Sequence, residues 1–128
     1  KLFNNGDMKR DFTYIDDVVE GIVRLLCSLP TSPTISLKDY SSGNAASRIV
    51  NIGNSNPVSL MDFVSILENI LGIKADIEFS AFQAGDVKST FADMRKFKSL
   101  TGFEFKTPLL EGLKEFVDWY KDYYKKND

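Results

Sequence analysis

Short apolar strands alternating with capped amphipathic helices predict an α/β fold with about four helices for this chain. Three observations carry that expectation. Ile49-Val50-Asn51-Ile52 is a short apolar run closed by Gly53-Asn54, which reads as a strand. Leu60, Phe63, Val64, Leu67, Ile70 and Leu71 form one helical stripe between Ser59 and Gly72. Thr107-Pro108 then opens a final helix, because proline lacks the N–H that a first turn leaves unbonded.

From the N-terminus, Lys1 to Phe3 reads as the end of a strand, and Asn4-Asn5-Gly6-Asp7 has strong turn chemistry. Phe12 to Ile15 suits a short strand. Asp16 or Asp17 then caps a helix whose Val18, Ile22, Leu25, Leu26 and Leu29 share one face, ending near Pro30. Residues 30 to 48 are rich in Ser, Thr, Pro, Gly and Asn and read as a long irregular loop. Ser59 caps the next helix, with Asp62 in capping-box position. Asp76 to Phe79 reads as a strand, followed by the loop from Ala81 to Val87. Asp93 caps a short helix through Leu100, closed by Thr101-Gly102. In the last helix, Leu109, Leu113, Phe116, Val117, Tyr120 and Tyr124 form the expected buried face.

Composition narrows the chemistry. With 128 residues, 43% hydrophobic and 27% charged, the chain has the make-up of one soluble globular domain. A net charge of -2 and a pI near 5.2 argue against nucleic acid as a partner. No apolar run approaches the roughly 20 residues that span a bilayer, so no membrane partner is expected either. The single cysteine, Cys27, is compatible with a reducing compartment, which points to the cytoplasm, and its apolar surroundings suggest a small core residue. The absence of histidine excludes Ser-His-Asp and Cys-His machinery and any His-based metal site. No Gly-rich phosphate loop of the dinucleotide or Walker kind is present. Starting at Lys1, inside what reads as a strand, the chain looks like a piece of a longer protein.

The stretch from Met8 to Asp17 carries the most chemistry. Lys9 and Arg10 lie on a loop backed by an apolar segment and an acidic helix start. Arg10 is the stronger anion ligand, because its guanidinium offers a rigid fork of donors to phosphate oxygens. The alternative is a surface loop whose two cations are simply solvated.

In order and spacing these pieces resemble the C-terminal part of extended short-chain dehydrogenase/reductase proteins that act on nucleotide sugars. The markers are Arg10-Asp11-Phe12-Thr13-Tyr14-Ile15-Asp16-Asp17, then Val50-Asn51-Ile52-Gly53, then Gln83-Ala84-Gly85-Asp86-Val87 leading to Thr90-Phe91-Ala92-Asp93. The third of these is similar to the Gln-x-Gly-Asp-Val-x-x-Thr-x-Ala-Asp pattern of UDP-glucuronate 4-epimerases. The resemblance implies that residues 1–128 form one substrate-binding portion of a Rossmann-type enzyme. An N-terminal NAD-binding domain, absent from this chain, would hold the cofactor and do the chemistry. It further implies a UDP-sugar substrate, UDP-glucuronate in the first instance. A nucleotide-sugar 4,6-dehydratase or another sugar epimerase is the alternative within the family, and a non-catalytic interaction domain is the alternative outside it.

By the same resemblance, Arg10 matches the arginine on the pyrophosphate, and Phe3 falls where backbone meets the uracil edge. Asp86 matches the carboxylate that accepts from the ribose hydroxyls, a role suited to an acceptor-only group. Gln83 stands where galactose-type epimerases carry a second phosphate-binding arginine, and a glutamine donates a hydrogen bond without neutralising charge. Asp86 after Gly85 also reads as a plain turn residue, and Gln83 as a solvated loop residue. The family's Tyr-x-x-x-Lys pair is missing: none of Tyr14, Tyr40, Tyr120, Tyr123 and Tyr124 has a lysine four residues later. No residue of this chain is therefore assigned a catalytic role. Because the family's Ile49-to-Ile52 strand normally joins the N-terminal sheet, an exposed edge and self-association into homo-oligomers are expected here.

Overall fold

A computed structural model of the protein describes residues 1–28 and 49–124. It shows four α-helices, α1 (Ile15–Cys27), α2 (Leu60–Leu71), α3 (Arg95–Thr101) and α4 (Leu109–Tyr124). Two short strands, β1 (Lys9–Arg10) and β2 (Val58–Ser59), pair antiparallel, with Lys9 opposite Ser59 and Arg10 opposite Val58. The α/β class and the helix count are as expected, but the strands lie elsewhere.

The helices follow local signals. Ser59 Oγ accepts the N–H of Met61 at 3.2 Å at the start of α2, and Gly72 ends that helix at φ 69°. Such a left-handed residue is inexpensive only for glycine. Asp93 Oδ1 accepts the N–H of Arg95 at 3.1 Å at the start of α3, and Gly102 closes it at φ 63°. Gly112 N–H donates to the Pro108 carbonyl at 3.0 Å, so helical bonding in α4 starts where the proline predicts.

The strand expectations depend on partners far along the chain, and there the structure corrects them. Phe12 to Ile15 is not a strand: Phe12 stacks on Phe63 of α2 with ring centroids 4.4 Å apart, and Ile15 already opens α1. The ladder instead uses Lys9, which donates its N–H to Lys88 O at 2.9 Å and forms a parallel bridge with Ser89. Ile49 to Ile52 forms no strand because no described segment pairs with it, and Ile49 is 74% exposed. Asp76 to Phe79 is reduced to one parallel bridge, Leu2 to Phe79. Lys1 to Phe3 contributes only that bridge, since a 3-10 turn starts at Phe3. Asn4 (φ 50°) and Asn5 (φ 52°) are left-handed in this turn, in keeping with their turn chemistry.

Other differences concern burial. Asp17 does not cap its own helix: Tyr14 holds the cap position without a side-chain bond. The Asp17 carboxylate, nearly buried, reaches across to accept the N–H groups of Lys106 (3.2 Å) and Thr107 (2.9 Å) at the entry to α4. Cys27 is exposed rather than in the core. On α1, Ile22 and Leu26 are exposed, and on α4 so are Phe116, Tyr120 and Tyr124, leaving Leu113 and Val117 as the buried part of that face. Leu29, Tyr40 and the loop read over 30–48 lie outside the described residues.

The core is correspondingly small. Met8, Phe97, Phe103, Leu113 and Val117 are its buried apolar residues among those described. Phe97 is fully enclosed, stacked on Phe105 at 5.6 Å and edge-on to Phe103 at 6.3 Å. Gly21 lets α1 approach α3, because a Cβ there would stand 2.8 Å from the Phe97 ring. A second contact joins α2 to α4.

Candidate nucleotide-diphosphate site

Arg10 is placed by three segments. Strand pairing of β1 with β2 fixes its backbone, and the Lys9–Ser89 bridge brings the loop containing Asp86 alongside. Arg10 Nη2 then donates to Asp86 Oδ1 at 2.9 Å, joining residues 76 positions apart in sequence. Arg10 Nη1 donates to the Lys9 carbonyl at 2.8 Å and reaches the Lys88 carbonyl at 3.5 Å. The side chains of Arg10 and Asp86 remain 25% and 30% exposed, so the pair is within reach of a ligand.

Asp86 is set by its loop. Gly85 at φ 88° turns the chain, and Asp86 N–H donates to the Gln83 carbonyl at 3.1 Å. Asp86 Oδ1 also accepts the N–H of Val87 at 2.7 Å. The Gln83 side chain is exposed, and Gln83 touches this arrangement through its carbonyl. Phe3, half-buried, starts the 3-10 turn and makes no hydrogen bond or ring contact with the other three among the described residues. The turn itself adjoins the segment leading to Gln83, since Asn5 N–H donates to Ser80 O at 3.0 Å. Of the sequence-derived residues, Arg10 and Asp86 are joined directly, Gln83 adjoins them through its main chain, and Phe3 stands apart.

Sequence reasoning missed Asp11. Its carboxylate accepts four backbone N–H groups: Asn54 (3.2 Å), Ser55 (3.0 Å), Asn56 (3.2 Å) and Ala92 (3.0 Å). Its own N–H donates to Thr90 Oγ1 at 2.9 Å. Gly53 is required beside it, because a Cβ there would lie 2.4 Å from the Ala92 Cβ and 3.0 Å from Asp11 Oδ2. Asp11 thus ties the loop after Ile52 and the segment after Thr90 to the residue next to Arg10. No local signal marks this role, because the acceptor and its donors are 43 to 81 residues apart.

Two clefts flank this region without including Arg10 or Asp86. One, of about 610 Å³, runs between Phe12-Thr13-Tyr14 and α4 and is walled by Phe63, Leu109, Phe116 and Trp119. Desolvation and then the Asp16 carboxylate push the Tyr14 phenol above its ordinary pKa, so it is a neutral wall. The other, of about 600 Å³, lies beside Gly53 and Phe91 and carries ion-paired Asp93–Arg95 and Lys98–Glu104. Their charged groups answer one another, whereas the Arg10 pair leaves one carboxylate oxygen free among the described residues. Among those residues no cluster of His, Cys, Asp and Glu could hold a metal ion, and no helix is long and apolar enough to cross a membrane.

A family model for the NAD-dependent epimerase/dehydratase family matches residues 1–53, which include the Arg10 strand. Protein CapI of Staphylococcus aureus is 42% identical over 98% of this chain. A probable UDP-glucuronate 4-epimerase of Rhizobium meliloti is 40% identical over 98%. The chain spans 38% of the length of each of these two relatives. The structure of UDP-glucuronic acid 4-epimerase from Bacillus cereus, in complex with UDP-glucuronic acid and NAD, superposes with a TM-score of 0.75. That match has 32% identity and covers 96% of this chain and 35% of the other. Over these spans the chain is similar to proteins of the NAD-dependent epimerase/dehydratase family, the extended short-chain dehydrogenase/reductases of the sequence resemblance, and among them to UDP-glucuronate 4-epimerases.

Proposed function

We propose that this chain is the substrate-binding portion of an NAD-dependent UDP-sugar 4-epimerase, with UDP-glucuronate as the substrate. The juxtaposition of Arg10 and Asp86 at 2.9 Å carries the reading. It sets a phosphate-binding fork beside a carboxylate suited to ribose hydroxyls, where an unrelated interaction domain would leave the two apart. In this reading Arg10 binds the diphosphate, Asp86 the ribose, and the Phe3 backbone the uracil edge. Gln83 supplies an uncharged donor. Its lack of charge leaves the second phosphate cation to another part of the protein.

NAD does not fit the residues present. The β2–α2 junction, Val58-Ser59-Leu60, has no glycine through which a backbone could approach a pyrophosphate. The sequence has no Tyr-x-x-x-Lys pair either. The cofactor and the acid–base chemistry are therefore assigned to a separate, N-terminal part of the whole enzyme, in the cytoplasm. This chain contributes binding and orientation.

Saturation-transfer NMR on the chain with UDP-glucuronate, UDP-glucose and dTDP-glucose tests the reading. Signals are expected on the nucleotide protons, strongest with UDP-glucuronate, and lost in Arg10→Ala. Silence from all three ligands in a folded sample overturns it. Preference for the neutral sugar moves the assignment to another epimerase or a 4,6-dehydratase of the same family.

A further inference from the structure

We propose that Asp86 is a selectivity residue: it masks Arg10 against bare phosphate anions and yields only to a ligand that carries a ribose diol together with its diphosphate. The inference rests on the nucleotide-site reading above. Both terminal nitrogens of Arg10 are engaged within the chain, Nη2 by Asp86 and Nη1 by the Lys9 carbonyl. The carboxylate offsets the Arg10 charge and stands where an incoming anion would meet repulsion. Asp86 itself is asymmetric: Oδ1 takes both Arg10 and the Val87 N–H, while Oδ2 has no partner among the described residues.

This asymmetry separates ligands by chemistry. Inorganic phosphate or pyrophosphate gains one masked guanidinium and pays the repulsion of Asp86. A ribonucleoside diphosphate meets the same repulsion but brings hydroxyl donors to the free oxygen, which offsets it. A charge that disfavours the wrong ligand while serving the right one gives specificity without added affinity.

Isothermal titration of the chain with inorganic pyrophosphate and with UDP, for wild type and Asp86→Asn, tests the proposal. Asparagine retains an acceptor for the Val87 N–H, and circular dichroism checks that the variant folds, with Asp86→Ser as a second variant. The Asp86→Asn protein is expected to bind pyrophosphate about five-fold more tightly and UDP about five-fold more weakly, the scale of one partly exposed ion pair. Glu20→Gln is the control, because it releases Arg24 from a comparable pair on α1 and is expected to change neither affinity. UDP binding by the wild type with no gain in pyrophosphate affinity in Asp86→Asn overturns the masking alone. Failure of the wild type to bind UDP removes the nucleotide site, and the selectivity with it.

Discussion

Asp11 and Asp86 are both carboxylates beside the same arginine strand, yet the structure uses them in opposite ways. Asp11 spends its two oxygens on four backbone N–H groups from two segments, so it is satisfied internally. Asp86 holds Arg10 and Val87 with one oxygen, and the other faces no described group. A fully bonded carboxylate organises the chain, and a half-bonded one remains available to a ligand. The contrast predicts that changes at Asp11 are read mainly as stability and changes at Asp86 mainly as binding.

The largest effect is expected for Asp11→Ala. It leaves the N–H groups at Asn54, Ser55, Asn56 and Ala92 without their acceptor, a loss of about 2–4 kcal/mol in urea-unfolding free energy. Asp86→Ala should change unfolding by less than about 1 kcal/mol, since its pair with Arg10 is partly solvated. Equal losses from the two substitutions would erase the distinction. Gly53→Ala sharpens it from the other side: the new Cβ meets the Ala92 Cβ at 2.4 Å and costs about 1–3 kcal/mol by overpacking the clamp.

Next in size is the effect of the uncovered helix faces. Ile15, Val19, Ile22, Val23 and Leu26 of α1 are 45% to 63% exposed, and α4 presents Phe116, Trp119 and Tyr123 in a row, Phe116 tilted against Trp119 and Trp119 stacked on Tyr123. Contiguous apolar surface of this kind favours association. We expect homo-oligomers by light scattering at high protein concentration. The double substitution Ile22→Lys/Leu26→Glu should shift the sample toward monomer, while substitutions near Arg10 should not. A wild-type sample that stays monomeric sinks this expectation.

How much of this was legible in the sequence follows from distance along the chain. The start of α2 at Ser59 and the stops at Gly72 and Gly102 are local events, and the residues that make them are adjacent. The strands failed for the opposite reason: Lys9 acquires its ladder from Val58-Ser59 and from Lys88–Thr90, and nothing near Lys9 announces those partners. Apolar alternation at Phe12 and Tyr14 suits a strand, yet the Phe12 ring packs on Phe63, a partner far along the chain that no local signal announces. In the site, Arg10 and Asp86 could be paired only through the order of family markers. The clamp residue Asp11 stood inside one of those markers with no visible role.

The smallest predicted effect concerns acid. The Arg95 side chain and then its N–H hold Asp93 at about 2, below the model-peptide value of 3.8. A carboxylate whose folded pKa is depressed adds stability that is complete above its unfolded pKa and fades as pH falls through the folded one. The window for Asp93 is therefore from about pH 4 down to about pH 2. Below it, the ion pair with Arg95 and the charge on the acceptor of the Arg95 N–H are both lost. The group is solvent-facing, so its share of the acid transition is small, and a comparison of slopes detects it better than a comparison of midpoints. Asp93→Asn keeps an acceptor for the helix N–H but cannot titrate, so its unfolding free energy should depend less steeply on pH in that window than the wild type's. Identical slopes for the two proteins would mean that the Asp93–Arg95 pair does not persist in solution, and that the start of α3 is held by Met94 and the Phe97 packing alone.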